Sequence, residues 1–237
     1  MEYMGFTAQG NRDVNEDAHI LIERAGNYCF VVADGLGGHG KGREASQKVI
    51  EVFDQEFGAI RESSSGFLKR AFHIAQSKVM AMQQSAYEMK TTAVALAIID
   101  NKLAWGHIGD SRLYHFRKGK LRHFTLDHSV AQMLMPGKTD AEIASHPDRN
   151  RLLRVIGEAW NEPRFELSKA MKAKKDDAFL LCSDGVWEFI SKDRIGKLLE
   201  QSKTAEAWLK GIICEVERNG MNADMDNYTA ITVRLSD

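Results

Sequence analysis

The chain has 237 residues, 43% hydrophobic and 27% charged, with a formal net charge of −1, the size and balance of one large or two small globular domains. A near-neutral total offers no basic surface for nucleic acid. No stretch reaches the roughly 18 apolar residues of a membrane span, and the opening MEYMGFTAQGNRD lacks the basic start and apolar core of a signal peptide.

In chain order, β-rich runs at 18–23 and 28–33 lead into the glycine-rich GLGGHGKG. Residues 41–57 then carry Val49, Ile50, Phe53 and Phe57. Residues 67–87 carry Leu68, Phe72, Ala75, Val79, Met82 and Ala86. Both show the three-to-four spacing of a helix with one buried face. The small-residue tract 63–66 reads as the loop between them, and Met80, Met82 and Met89 as core filling. Four further runs follow at 92–99, 102–108, 112–117 and 120–125. Asp100-Asn101 and Lys118-Gly119 are hairpin connections, so the strands they join are antiparallel. Runs at 178–182 and 228–235 complete the set. Between them Thr204 caps a helix that turns Trp208, Leu209, Ile212, Ile213 and Val216 inward and stops at Gly220. Strands in the middle and helices before and after favour an α+β fold of packed antiparallel sheets over alternating βαβ units. There is no internal repeat. The scattered cysteines Cys29, Cys182 and Cys214, with no C-x-x-C, read as reduced, buried thiols of a cytoplasmic protein.

Two phosphate-binding patterns overlap in the glycine stretch. Gly35, Gly37 and Gly40 fit G-x-G-x-x-G; Gly35, Gly40 and Lys41 nearly fit the P-loop, with Gly42 where Ser or Thr belongs. The turn nevertheless begins with Asp34, a carboxylate that opposes a phosphate at a helix N-terminus. The other acids obey the same rule of placement. Asp110 follows LAWGHIG, Asp184 follows AFLLCS, Asp226 precedes YTAITVRL, and Glu16 and Asp17 precede AHILIE. Any one of them alone is a turn residue. Acids at the ends of five strands of one core converge, raise each other's pKa and call for a cation. All-oxygen donors point to Mg²⁺ or Mn²⁺ rather than Zn²⁺.

The segments NRDVNEDA, VVADGLGGHGKGREAS, KTTAVALAI, HIGDSRLYHF, FTLDHSVAQML, LLCSDGVWEFI and DNYTAITV occur in this order. Together they resemble the metal-dependent type-2C protein serine/threonine phosphatases, in particular the short bacterial members, from about Gly5 to Val233. The resemblance implies a single catalytic domain over 1–237: a four-layer α-β-β-α sandwich, two antiparallel sheets flanked by helices. It also implies a site of two ions at the sandwich edge. Asp34 would bridge them, the Gly35 carbonyl would ligate one, and Asp184 and Asp226 would complete the other. Glu16 and Asp17 would hold metal-bound waters or ligate directly. Asp110 and Asp184 would hold a third ion. Arg12 would grip the substrate phosphate, and 133–154 would be a mobile flap. Two positions depart from the family pattern. Leu36 stands where many members have a histidine proposed as general acid, with His39 three residues further on. Lys90 stands where Gly usually precedes the Thr-Thr pair.

Other phosphatase chemistries are excluded by inspection: there is no C-x₅-R, no G-x-S-x-G and no G-D-x-H-G. The reaction expected is attack of a metal-bridging water on phosphoserine or phosphothreonine. The planar fork of Arg12 suits the phosphoryl oxygens; the competing reading is a surface ion pair with an acid such as Glu16. Arg149 and Arg151 in the flap are candidates for contact with acidic residues flanking a phosphosite, against the reading of a solvated loop, and Asn227 is a further candidate beside Asp226. Partners would be phosphorylated proteins opposing a Ser/Thr kinase, with no nucleic acid and no membrane span, the enzyme acting as a monomer. Two alternatives are a phosphoprotein-binding module of the same fold, which predicts loss of a ligand acid, and a nucleotide-binding enzyme, which predicts βαβ units and an acidic strand end near Asp54.

Overall fold

A computed structural model of the chain describes residues 1–37, 41–58, 62–83 and 88–235. In chain order the elements are β1 (Glu2–Ala8), β2 (Ala18–Arg24), β3 (Asn27–Ala33), β4 (Gly35–Leu36), α1 (Lys41–Phe57), α2 (Ser64–Met82), β5 (Lys90–Thr91), β6 (Ala93–Ile99), β7 (Lys102–Ile108), β8 (Arg112–Arg117) and β9 (Lys120–Phe124). They continue with α3 (Val130–Leu134), α4 (Asp140–Ala144), β10 (Glu166–Leu167), β11 (Met171–Lys172), β12 (Asp177–Cys182), α5 (Asp184–Trp187), α6 (Lys192–Gln201), α7 (Ala205–Gly220) and β13 (Tyr228–Arg234).

The strands form two large sheets, ordered β1-β13-β12-β8-β9 and β10-β7-β6-β3-β2, with β11 also on β7. Every pairing in them is antiparallel. Side chains alternate across a strand, and here both faces are apolar. In β3, Phe30 and Val32 enter the core between the sheets, while Cys29, Val31 and Ala33 face α1 and α2. In β6, Val94, Leu96 and Ile98 point to the sandwich, and Ala93, Ala95 and Ala97 point to the helices. The other sheet repeats the device: Phe179 and Leu181 face inward, while Ala178, Leu180 and Cys182 meet α6 and α7 through Ile195, Leu199, Trp208 and Ile212. The layers are therefore α-β-β-α. Each buried strand reads as a continuous apolar run because it is covered on both sides.

The hairpin turns are as expected. Asp100 and Asn101 have φ of 50° and 57°, and Lys118 and Gly119 have 53° and 73°, the paired positive values that match the twist of antiparallel strands. Other expectations need correction. Residues 63–66 are not a loop. Ser63 caps α2, its side chain accepting from the Gly66 N–H, and Ser64 opens the helix. Strand β1 and helix α6 were not expected. β1 is an edge strand, half exposed, with Gly5 in its middle, so neither apolar content nor clean alternation marks it. α6 is short, with Ile195, Leu198 and Leu199 buried behind the cap Ser191. Of the cysteines only Cys29 and Cys182 are buried among the three; Cys214 is exposed, because Ile212, Ile213 and Val216 take the inner face of α7. Met89 is buried, and Met82 packs against the same cluster.

Among the described residues there is no βαβ unit, since every strand pairing is antiparallel. Gly35-Leu36 is not a cradle but a strand paired antiparallel with Lys90-Thr91, and Asp54 sits on α1 in a surface ion pair with Arg24 at 2.7 Å. The glycines serve close packing. A Cβ on Gly42, at the start of α1, would lie 2.5 Å from the Gly35 carbonyl carbon, and one on Gly35 would overlap the Gly42 backbone. Helix propensity alone makes Gly42→Ala stabilising by about 1 kcal/mol. We expect the opposite sign here, a loss of about 1–3 kcal/mol from overpacking, read as a Tm lower by about 2–4 °C per kcal/mol. A Tm equal to or above that of the wild type would refute the close approach.

Candidate active site

The acids stand where the strands of the sandwich end. Asp34 follows β3, Asp110 lies between β7 and β8, Asp184 opens α5 directly after β12, Asp226 precedes β13, and Glu16 and Asp17 precede β2. Asp34, Asp110, Asp184, Asp226, Glu16 and Gly35 all line one cavity of about 680 Å³. Asp17 is off that wall, buried, and its Oδ2 accepts from Ser183 Oγ at 2.7 Å.

Short backbone ties bring the acids together. The Asp34 carbonyl accepts from the Thr92 N–H at 2.8 Å and from Thr91 Oγ1 at 2.8 Å, while its N–H donates to Thr92 Oγ1 at 3.0 Å. Gly185 abuts the Asn227 carbonyl so closely that a Cβ would overlap it, which sets Asp184 beside Asp226. Asn227 binds the N-terminal loop: its Oδ1 accepts the Glu16 N–H at 2.8 Å, and its Nδ2 donates to the Gln9 and Val14 carbonyls at 2.7 and 3.1 Å. Thr91, Thr92 and Ser183 were missed from the sequence. The signal was present as polar residues flanking each acid, but it names no partner. The N-terminus of α1 is also in use, with the Arg43 and Gly42 amides facing the Glu16 carboxylate. The positive end of that helix serves a carboxylate rather than a phosphate.

Electrostatics follow from this crowding. Burial first, then Asp17, Asp184, Asp110 and Asp226, push the Asp34 carboxyl well above the usual range. Asp184 is raised likewise by burial and then by Asp110. Burial pushes Asp110 up to about 7 and Asp17 up to about 6, and it raises Glu16. Five buried side-chain polar atoms among the described residues have no hydrogen-bond partner. Four are carboxylate oxygens of this set: Glu16 Oε1, Asp17 Oδ1, Asp110 Oδ1 and Asp184 Oδ1. Buried carboxylate oxygens are ordinarily satisfied. Hard oxygen donors gathered in this number fit a divalent cation of the Mg²⁺ or Mn²⁺ type.

The remaining candidates separate into those at the cavity and those away from it. Arg12 is on its wall, half exposed, paired with Asp226 Oδ2 at 2.6 Å rather than with Glu16. Leu36 is on the wall too; His39 lies outside the described residues. Lys90 pairs in register with Leu36 and forms an ion pair with Glu88 at 2.8 Å, so a lysine here is compatible with the strand entry. Segment 133–154 leaves and returns through a bridge between Ser129 and Leu152. Neither Arg149 nor Arg151 lines the cavity; Asn150 and Leu152 do. Residues 147–150 form turns, with the Arg149 N–H donating to the His146 carbonyl at 3.0 Å and the Arg151 N–H to the Asp148 carbonyl at 3.1 Å, and the Arg149 side chain reaches Glu188 at 2.7 Å. Arg154 reaches Glu166 at 3.3 Å, in a separate cavity of about 890 Å³. There the ligand-type atoms of His107, His128 and Glu166 lie within 4.8 Å of one another. The two imidazoles stack, with centroids 4.5 Å apart and planes at 14°, so their in-plane lone pairs run parallel and do not converge on one ion.

A site of this construction has close parallels. The chain is 30% identical over 250 residues to protein phosphatase PhpP of Streptococcus pneumoniae, covering all of this chain and 98% of that protein. It is 32% identical over 219 residues to serine/threonine protein phosphatase PstP of Mycobacterium tuberculosis, covering 90% of this chain and spanning 41% of the length of that relative. The catalytic domain of PstP in complex with two manganese ions superposes with a TM-score of 0.80 at 29% identity, covering 99% of this chain and 98% of that one. The family model described as protein phosphatase 2C matches residues 4–228, nearly the whole chain, and this chain belongs to the protein phosphatase 2C family.

Proposed function

We propose that this chain is a metal-dependent protein serine/threonine phosphatase, a single catalytic domain over 1–237 that hydrolyses phosphoserine and phosphothreonine. The observation that carries this reading is the set of four buried carboxylate oxygens, on Glu16, Asp110 and Asp184 at the cavity and on Asp17 off its wall, without hydrogen-bond partners among the described residues. Family membership and the manganese pair in the PstP catalytic domain support it. Asp34, the Gly35 carbonyl, Asp184 and Asp226 would hold two cations, with Glu16 and Asp17 behind them, and Asp110 with Asp184 would hold a third. When bound, such ions supply Lewis acidity, neutralising charge on phosphoryl oxygens and acidifying water.

The protein's own groups do the rest. Arg12, at the cavity wall and half exposed, exchanges its bond to Asp226 for two phosphoryl oxygens, which its fork matches. Position 36 offers an apolar wall and no acid, so the proton for the leaving alkoxide comes from water. Asn227 positions the loop that carries Arg12 and Glu16. The reading places the enzyme in the cytoplasm, where free thiols such as Cys29 and Cys182 persist. It acts there as a monomer on proteins phosphorylated by a Ser/Thr kinase.

Turnover of a phosphothreonine peptide should require Mn²⁺ or Mg²⁺, stop with EDTA, and fall by about 10²-fold or more in Asp34→Asn and Asp184→Asn. Metal-independent turnover, or full activity in both variants, would sink this mechanism.

A second test needs no substrate. A carboxyl whose folded pKa is raised holds its proton above the unfolded value of about 4, so it lowers stability as pH rises through the interval up to the folded value. For Asp110 that interval ends at about 7. Without metal, Asp110→Asn should therefore melt above the wild type at pH 7.5, and the advantage should shrink to nothing as pH falls to about 4. His128, which burial pulls down to about 4, contributes with the opposite sign in both proteins and cancels in the difference. Saturating Mn²⁺ should abolish or reverse the advantage. A melting difference independent of pH would contradict the raised Asp110 carboxyl that burial, and then Asp127, imposes.

A further inference from the structure

Arg112 is a fully buried arginine, 1% exposed, at the start of β8, two residues after Asp110. Its Nε and Nη2 donate to both oxygens of Asp127, each at 2.7 Å. Its Nη1 donates to Asp140 Oδ1 at 2.8 Å and to Tyr114 Oη at 3.3 Å. The guanidinium carbon lies 3.5 Å from the centroid of the Trp187 ring. Trp187 Nε1–H in turn donates to the Asp110 carbonyl at 2.9 Å.

These contacts join two parts of the molecule. Asp140 opens α4 inside segment 133–154, and its other oxygen faces Lys192 at 3.7 Å. Trp187 is the last residue of α5, whose first residue is Asp184. A surface ion pair would be loose and worth little. This one is dry, bidentate on one side and stacked on an indole, so its geometry is tightly held. The next residue repeats the arrangement at the rim, where Glu188 takes Arg149 of the same segment at 2.7 Å. The two short stretches that carry Asp110 and Asp184 thus both hold segment 133–154, in addition to its bridge at Ser129 and Leu152.

The geometry points to Arg112 as a positioning residue: by holding Asp140 on one side and Trp187 on the other, it sets segment 133–154 and the Asp110/Asp184 pair as one unit, so that loosening the segment weakens cation binding at the pair. This rests on the reading of those acids as cation ligands given above. Removing Arg112 itself would strand Asp127 and Asp140 and endanger folding, so the test cuts the link at its two ends.

Asp140→Ala frees the segment and leaves the Arg112–Asp127 bonds in place. Trp187→Phe keeps a ring under the guanidinium and removes the N–H that holds Asp110. Mn²⁺ binding is measured by titration calorimetry, and amide hydrogen exchange is measured on the metal-free protein. Asp140→Ala should speed exchange at both 140–146 and 184–188 and weaken Mn²⁺ binding by about 2- to 30-fold. Asp140→Asn, which keeps an acceptor for Nη1, should recover part of both. Trp187→Phe should weaken Mn²⁺ binding with exchange at 140–146 unchanged. Faster exchange confined to 140–146, with Mn²⁺ affinity unchanged in Asp140→Ala or in Trp187→Phe, overturns the coupling and leaves the phosphatase reading standing. If Asp140→Ala does not fold, the Asp140→Asn and Trp187→Phe affinities decide. A wild-type protein that binds no Mn²⁺ removes the reading itself.

Discussion

Repulsion among carboxylates buried at one end of a β-sandwich is the constraint on which the rest of this structure depends. Burial first, and then the neighbouring acids, hold Asp34 and Asp184 well above the normal carboxylate range, and one oxygen each of Glu16, Asp17, Asp110 and Asp184 has no hydrogen-bond partner among the described residues. A folded chain keeps such an arrangement only where the surrounding packing enforces it and function requires it. Here the packing is visible as rigid strands ending together, with glycines that let backbones touch.

That enforcement explains the glycine-rich loop. Gly35 and Gly42 press the loop after β3 against the start of α1, and Gly185 presses the start of α5 against Asn227. Each contact places an acid: Asp34 in the first case, Asp184 beside Asp226 in the second. Of the described glycines in those signatures, Gly35 and Gly37 are held by close packing against Gly42 and Glu88. The helix N-terminus that a phosphate would occupy faces the Glu16 carboxylate instead. Negative charge gathered by tight backbone packing is suited to cations, and cations to a phosphoryl group.

Much of this was legible in the residues. Apolar runs such as YCFVVA and AVALAII announced strands, and Asp-Asn and Lys-Gly announced hairpins. The strand-end acids could be read as one site because strands of a single core end near each other. What escaped was weakly patterned or decided by partners distant in sequence. β1 is a half-exposed edge strand whose identity comes from pairing with β13, more than 200 residues away in the chain. Thr91, Thr92 and Ser183 are ordinary polar residues until the fold puts Asp34 and Asp17 against them. Arg149 and Arg151 looked like substrate contacts because they are basic and lie in the segment expected to be the flap beside the cleft. The turns at 147–150 bring Asn150 and Leu152 to the cavity instead.

The sequence by itself determined the class of fold, the acids and the kind of ion they suit, because periodicity and residue chemistry are local properties. Tertiary structure alone decided which groups share a hydrogen bond or a charge. It paired Arg12 with Asp226, across 214 residues, set Asn227 as the tie on the N-terminal loop, and buried Arg112 between Asp127, Asp140 and Trp187. Those choices depend on distance through space, which the order of residues along a chain does not carry.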